Sequence, residues 1–269
     1  MMPMSLIINI KQAMHKSFRL MGFDVVQIHK LDAALKMRER ERDERHLRTI
    51  RELRAKQKNG QGGPARLTPA PSAAGPKWVA VADLWETGCS LVDEPVQSLL
   101  DIGCAFRPQD FVEAQVHICC EPYEEYMDRL IVETAGNAKF VYLRSDLEES
   151  SKLFPPSSVD TVLLIDVIEH VDRDKGLASL ERLKRIARKQ IAIFTPVGFM
   201  PQESHENGVD PWGMGGTDWQ RHLSGWSPED FTARDGWSVI ACQDFHKNDG
   251  YGRSLDKPFG AMWAIWNRN

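Results

Sequence analysis

The stretch Ser98 to Pro108, reading S-L-L-D-I-G-C-A-F-R-P, constrains the fold of this chain more than any other segment. An apolar run ending in Asp101-Ile102-Gly103 is the pattern of a buried strand that breaks into a tight turn, where nucleotide-like ligands meet an open α/β sheet. A second apolar run, Val116-His117-Ile118-Cys119-Cys120, ends in Glu121, 20 positions after Asp101. A carboxylate at the tip of that second strand can accept hydrogen bonds from both hydroxyls of a ribose. Together the two strand ends predict a site for a ribose-containing cofactor.

The segments that follow alternate in the same way. The pattern predicts a helix near Trp78 to Val92, then strands at about 97–102, 115–120, 139–143 and 159–165, with helices at about 109–114 and 122–135. Leu177, Leu180, Leu183 and Ile186 recur at helical spacing and are expected in the core, ahead of a fifth strand from Gln190 to Phe194. Trp237 to Phe245 and Phe259 to Trp266 read as two closing strands. Strand and helix in turn favour a mostly parallel sheet.

The first 76 residues differ in character. Residues 1–58 are expected to form a charged helical extension, residues 59–76 a flexible Gly, Pro, Ala and Ser linker, and residues 77–269 the main domain. Residues 5–30 mix apolar and basic side chains in an amphipathic pattern. That pattern suits packing on the chain's own domain, a protein partner or a membrane surface. Over 35–58, spacings such as Glu41 to Arg45 and Glu44 to Arg48 suit ion pairs on a solvated helix.

Charge and cysteine content bound the setting. A net charge of −4 gives no reason to expect a nucleic-acid partner. Five cysteines without paired spacing do not read as a disulfide framework, and no run reaches the ~20 apolar residues that cross a bilayer. With no signal-peptide pattern at the N-terminus, the expectation is a cytoplasmic protein.

Four motifs in register carry a resemblance: Asp101-Ile102-Gly103-Cys104-Ala105, Glu121, Ser145-Asp146-Leu147, and Asp166-Val167-Ile168-Glu169-His170. Over residues 77–269 the chain resembles the class I methyltransferases that use S-adenosylmethionine. The resemblance implies an α/β, Rossmann-like, doubly wound sheet of seven strands with the last antiparallel. It also implies cofactor contacts from Asp101, Ile102, Gly103, Cys104 and Ala105 to the methionine part, from Glu121 to the ribose, from Asp146 and Leu147 to the adenine, and from Asp166 and Val167. The chain departs from the family's G-x-G-x-G at Ala105 and Arg107. Taken singly, Asp101, Glu121 and Asp146 also suit turn or helix capping, and Arg107 suits either a ligand carboxylate or solvent.

The acceptor side is expected in Thr195 to Gln202 and in the long segment from Glu203 to Phe231. Gln202 together with His222-Leu223-Ser224-Gly225-Trp226 resembles methyltransferases of surface-polysaccharide and glycan pathways, which implies O-methylation of a glycan or related hydroxylated small molecule. His222 is the first candidate for a catalytic base, His170 the second and His205 the third. Trp212, Trp219 and Trp226 suit either stacking on a sugar or packing in a core or lid. Ser227-Pro228-Glu229-Asp230 has the composition of a helix start. No metal cluster shows in the sequence alone. The competing readings are a non-catalytic scaffold that binds a partner through its N-terminal helix, and a nicotinamide-dependent oxidoreductase, the latter disfavoured by the missing G-x-G-x-x-G.

Overall fold

The computed structural model describes residues 44–56, 75–202, 208–232 and 235–268. The expectations for residues 5–30, Glu41, His205 and most of the linker fall outside the described residues. The chain divides into two compact units, Met1–Thr49 and Ile50–Asn269. Of the first, residues 44–49 are described and are helical; in the second, residues 50–56 are helical (α1). There Ile50 is buried, and the Arg54 guanidinium donates to the carbonyls of Cys89, Val92 and Phe111 and pairs with Glu94.

The second unit is built on one sheet. Its strands are β1 (Lys77–Trp78), β2 (Val96–Ile102), β3 (Ala114–Cys120), β4 (Phe140–Leu143), β5 (Val159–Ile165), β6 (Ala187–Pro196), β7 (Trp237–Asn248) and β8 (Ser254–Asn267). They lie in the order β1-β7-β8-β6-β5-β2-β3-β4. β2, β3, β4, β5 and β6 run parallel, whereas β8 is antiparallel to both β6 and β7. This is the expected seven-stranded, doubly wound sheet with its last strand antiparallel, extended by the two-residue edge strand β1. Helices α2 (Val81–Leu91), α3 (Glu124–Glu133), α4 (Leu147–Leu153) and α5 (Arg173–Ile186) connect or precede the strands.

The central strands each hold an apolar run because both faces of a parallel sheet are covered. In β5 all residues but Ile165 are buried, and in β6 all but Arg188 and Lys189 are. Those two cations start β6 earlier than the apolar run suggests, because both reach the buried Asp160 carboxylate, which also accepts from the Gln97 N–H at 2.8 Å.

Three expectations are corrected. Trp78 begins no helix; it sits in β1, paired with Ala241, and is largely exposed. Residues 109–113 are irregular rather than helical: Gln109 N donates to Asp101 Oδ2 and the Phe111 carbonyl accepts from Arg54, so backbone groups a helix would use are held elsewhere. Leu177 is exposed while Leu180, Leu183 and Ile186 are buried. A strict three-residue step falls about 60° short of a full turn each time, so four such positions cannot stay on one helix face. The helix start read at Ser227 is present as a single 3-10 turn, Pro228–Asp230, with Pro228 in its first turn and the Asp230 carboxylate folded back in a capping box to accept from the Ser227 N–H at 2.8 Å; Asp230 also pairs with Arg173.

Candidate functional site

A cavity of about 620 Å³ opens at the carboxyl ends of β2, β3, β4, β5 and β6. It spans the point where the chain, having added β3 and β4 on one side of β2, crosses to add β5 on the other. Ligand sites of open α/β sheets form at this reversal.

The turn after β2 forms one wall. Gly103 has φ +70°, and a Cβ placed there would lie 2.6 Å from Val167 Cγ2. Glycine is therefore required twice, for the left-handed backbone and for the close approach of the 165–167 segment. Ala105 also adopts a positive φ of 47°, a left-handed backbone more usual for glycine. Its N–H donates to Glu121 Oε2 at 2.9 Å, and the Tyr123 N–H donates to Glu121 Oε1 at the same distance. Both oxygens of Glu121 are thereby aimed by the main chain, each keeping a lone pair for the cavity. Burial pushes the Glu121 carboxyl up to about 7, against the lowering effect of those two N–H groups.

Asp146 lines the cavity after β4 and is also the N-cap of α4, where Oδ1 accepts the Glu149 N–H at 2.8 Å. The capping and ligand readings of this residue are compatible, because its second oxygen is left over. Leu147, Asp166 and Val167 line the same space, as do Ile102, Gly103, Cys104 and Ala105. Asp166 has φ +52°. Its side chain is exposed to the cavity.

Asp101 does not join this wall. It is buried beneath the turn, where Oδ2 accepts the Gln109 N–H at 2.8 Å and meets His117 Nε2 at 3.0 Å. Its residue type suits pinning the turn from below, since one oxygen bridges residues eight positions apart. Burial alone would lower His117, but Asp101 first and Cys119 second outweigh it and hold the imidazole up at about 9. Cys119 acts here by proximity, because His117 Nδ1 has no hydrogen-bond partner among the described residues. Sequence reading missed this pair; the signal present was a histidine inside an apolar strand, and in the sheet it stands two positions before Cys119, the register partner of Asp101, and so on the same face.

At the far end of the cavity stand Glu169, His170 and His222. The His222 Nδ1 hydrogen goes to the Met200 carbonyl at 2.6 Å and that of His170 to the Arg221 carbonyl at 3.0 Å. The two rings meet edge to face, 4.8 Å between centroids. Burial, followed by the neighbouring His170, lowers His222 to about 4, and burial lowers His170 as well. His222 is thus neutral at pH 7 and a weaker base than an unperturbed histidine. Glu169 is buried with Thr195 Oγ1 donating to Oε2 at 2.9 Å, and burial raises it to about 7.

The loops fix this end. Gln202 spends its amide on the main chain, donating to the Gln220 carbonyl at 2.7 Å and accepting from the Gly250 N–H at 3.1 Å. Asp210 accepts from Trp212 N, Met214 N and Gly216 N and from the Tyr126 hydroxyl, which folds residues 210–216 over α3. Sequence reading passed over Asp210, although Asp-Pro followed by glycines is an Asx-turn composition. Trp212 and Trp219 line the cavity, whereas Trp226 is buried in the core with its N–H on the Ile168 carbonyl and Ser224 Oγ. Arg107 lines the mouth, exposed, beside the Phe106 ring.

No family model matches the sequence, and no curated protein matches it by sequence. Solved structures with a similar arrangement include an S-adenosylmethionine-dependent methyltransferase from Archaeoglobus fulgidus, 16% identical, covering 64% of this chain and 86% of that one with a TM-score of 0.40. The N-methyltransferase NodS from Bradyrhizobium japonicum, solved with S-adenosylhomocysteine, is 12% identical over 64% of this chain and 78% of its own, TM-score 0.41. The small RNA methyltransferase HEN1 is 17% identical over 65% of this chain and 23% of its own, TM-score 0.43. At these identities the functional reading rests on the cleft itself. Among the described residues no helix is long and apolar enough to cross a membrane.

Proposed function

We propose that this chain is an S-adenosylmethionine-dependent methyltransferase whose acceptor is a hydroxyl of a glycan or related hydroxylated small molecule. The observation that carries the donor half is Glu121, with both oxygens oriented by main-chain N–H groups across from the positive-φ turn at Gly103 and Ala105. A ribose would donate its two hydroxyls to the remaining lone pairs. Asp146 would accept from the adenine amine, Leu147 would lie against the ring, and Ile102 to Ala105 with Asp166 and Val167 would enclose the methionine part. Bound there, the cofactor supplies an electrophilic sulfonium methyl for in-line displacement, which asks the protein chiefly for alignment and water exclusion.

Trp212 and Trp219 offer ring faces of the kind that sugars stack on, and His170 and His222 bring neutral imidazoles to the acceptor end. A dinucleotide fits less well. Residues 103–113 contain no helix, so the helix N-terminus that normally receives a pyrophosphate after the first strand is missing from this turn. The test is thermal stabilisation of the full chain by S-adenosylhomocysteine and by NAD. A rise with the first alone supports the reading, and a rise with NAD alone overturns it. Incubation with methyl-labelled cofactor and either oligosaccharides or RNA then separates the acceptor classes; label in RNA alone would contradict the glycan assignment.

A further inference from the structure

We propose that Glu169, His170 and His222 form a divalent-cation site at the acceptor end of the cavity. Each offers one ligand atom, and these atoms lie within 4.8 Å of one another. Around a zinc ion with bonds of about 2.1 Å, neighbouring ligand atoms stand roughly 3.4 Å apart, so side-chain rotation closing about 1.4 Å completes the triad.

The surroundings are those that metal-binding side chains need. Each imidazole gives its Nδ1 hydrogen to a main-chain carbonyl, Met200 for His222 and Arg221 for His170, which fixes the tautomer and leaves Nε2 as the coordinating lone pair. Thr195 Oγ1 donates to one oxygen of the Glu169 carboxylate at 2.9 Å, which orients the group. The main chain locks the two contributing segments together, since Leu223 N and Ser224 N both donate to the Glu169 carbonyl, at 2.7 and 3.0 Å. Ligands carried on segments tied in this way are preorganised.

Two imidazoles and one carboxylate form a donor set of borderline softness, suited to Zn²⁺, Mn²⁺, Co²⁺ or Fe²⁺ rather than to Ca²⁺. Three protein ligands leave coordination positions open, and all three residues line the cavity. The open positions therefore face the place where an acceptor oxygen arrives. Such a cation would orient that oxygen and favour its ionised form.

The site is testable without any methyl-transfer reaction. The full chain, treated with EDTA and dialysed, is titrated with Zn²⁺ by calorimetry and with Co²⁺ by visible absorption, without cofactor. The expected result is one equivalent per chain, with Co²⁺ bands in the visible. His170→Ala, His222→Ala and Glu169→Gln should each weaken binding by more than the ~10–100-fold typical of losing a second-shell partner. Thr195→Val, nearly isosteric, should keep the stoichiometry and weaken binding about tenfold. Absence of saturable binding by the folded wild-type chain overturns the proposal. So does wild-type affinity in a folded His222→Ala variant, which would place the ion elsewhere, for example on a cysteine.

Discussion

Replacing Gly103 by Ala probes the turn at its most constrained point. The added methyl would meet Val167 Cγ2 at 2.6 Å, about 1 Å inside ordinary contact, and the residue must hold φ at +70°. The left-handed backbone costs a non-glycine residue about 1 kcal/mol. Overpacking against a stiff β-branched neighbour adds about 1–3 kcal/mol. The sum, about 2–4 kcal/mol, should lower the melting temperature by roughly 5–15 °C for a unit of this size. Val167 also lines the cavity, so its displacement should weaken S-adenosylhomocysteine binding about tenfold or more. The assay pairs thermal or urea denaturation with calorimetric titration. In Gly103→Ala with Val167→Ala the methyl clash is gone, and relative to Val167→Ala alone only the backbone cost of about 1 kcal/mol should remain. Wild-type stability and affinity in the single variant would refute this reasoning.

Three further outcomes are expected. His117→Leu, which offers no donor, breaks the buried contact with Asp101 and should destabilise the fold by about 3–5 kcal/mol, read from urea midpoints, because it leaves a carboxylate without its charged partner under the turn. Glu121 couples to pH in two opposite ways. With its folded value raised from 4.5 to about 7, its contribution to stability is fully present below 4.5 and lost as pH rises through 7. Cofactor affinity, which needs the carboxylate, should instead rise up to about tenfold between pH 6 and pH 8, a trend that titration of Glu121→Gln should no longer show. Asp210→Ala removes the acceptor that folds residues 210–216 over the Tyr126 hydroxyl and should change Trp212 fluorescence and lower acceptor turnover more than it lowers S-adenosylhomocysteine affinity, since the Glu121 contacts to Ala105 N and Tyr123 N are left in place.

The donor end was more legible in the sequence than the acceptor end, for a physical reason. Gly103, Glu121 and Asp166 each sit directly after a strand and Asp146 three positions after one, and strand ends follow from apolar runs that one sequence displays. Asp101 sits at a strand end too, yet its side chain points under the turn to His117, a partner 16 residues away whose register only the sheet fixes. The acceptor end is assembled from loops. Glu169 and His170 meet His222 through main-chain hydrogen bonds spanning more than 50 residues, and no local spacing encodes that meeting. The same limit explains residues 109–113. Their composition allows a helix, but Gln109 N is claimed by Asp101 and the Phe111 carbonyl by Arg54, both distant in sequence.

The central claim is that the cleft between the Gly103 turn, Glu121 and Asp146 binds S-adenosylmethionine. Calorimetric titration of S-adenosylhomocysteine into wild type, Glu121→Ala and His222→Ala tests it most directly. The account predicts one-to-one binding by wild type, a loss of about 2 kcal/mol or more in Glu121→Ala as charge-assisted hydrogen bonds to the ribose disappear, and near wild-type affinity in His222→Ala. A folded wild-type chain that takes up no ligand, or a Glu121→Ala variant that binds as tightly as wild type, would contradict it.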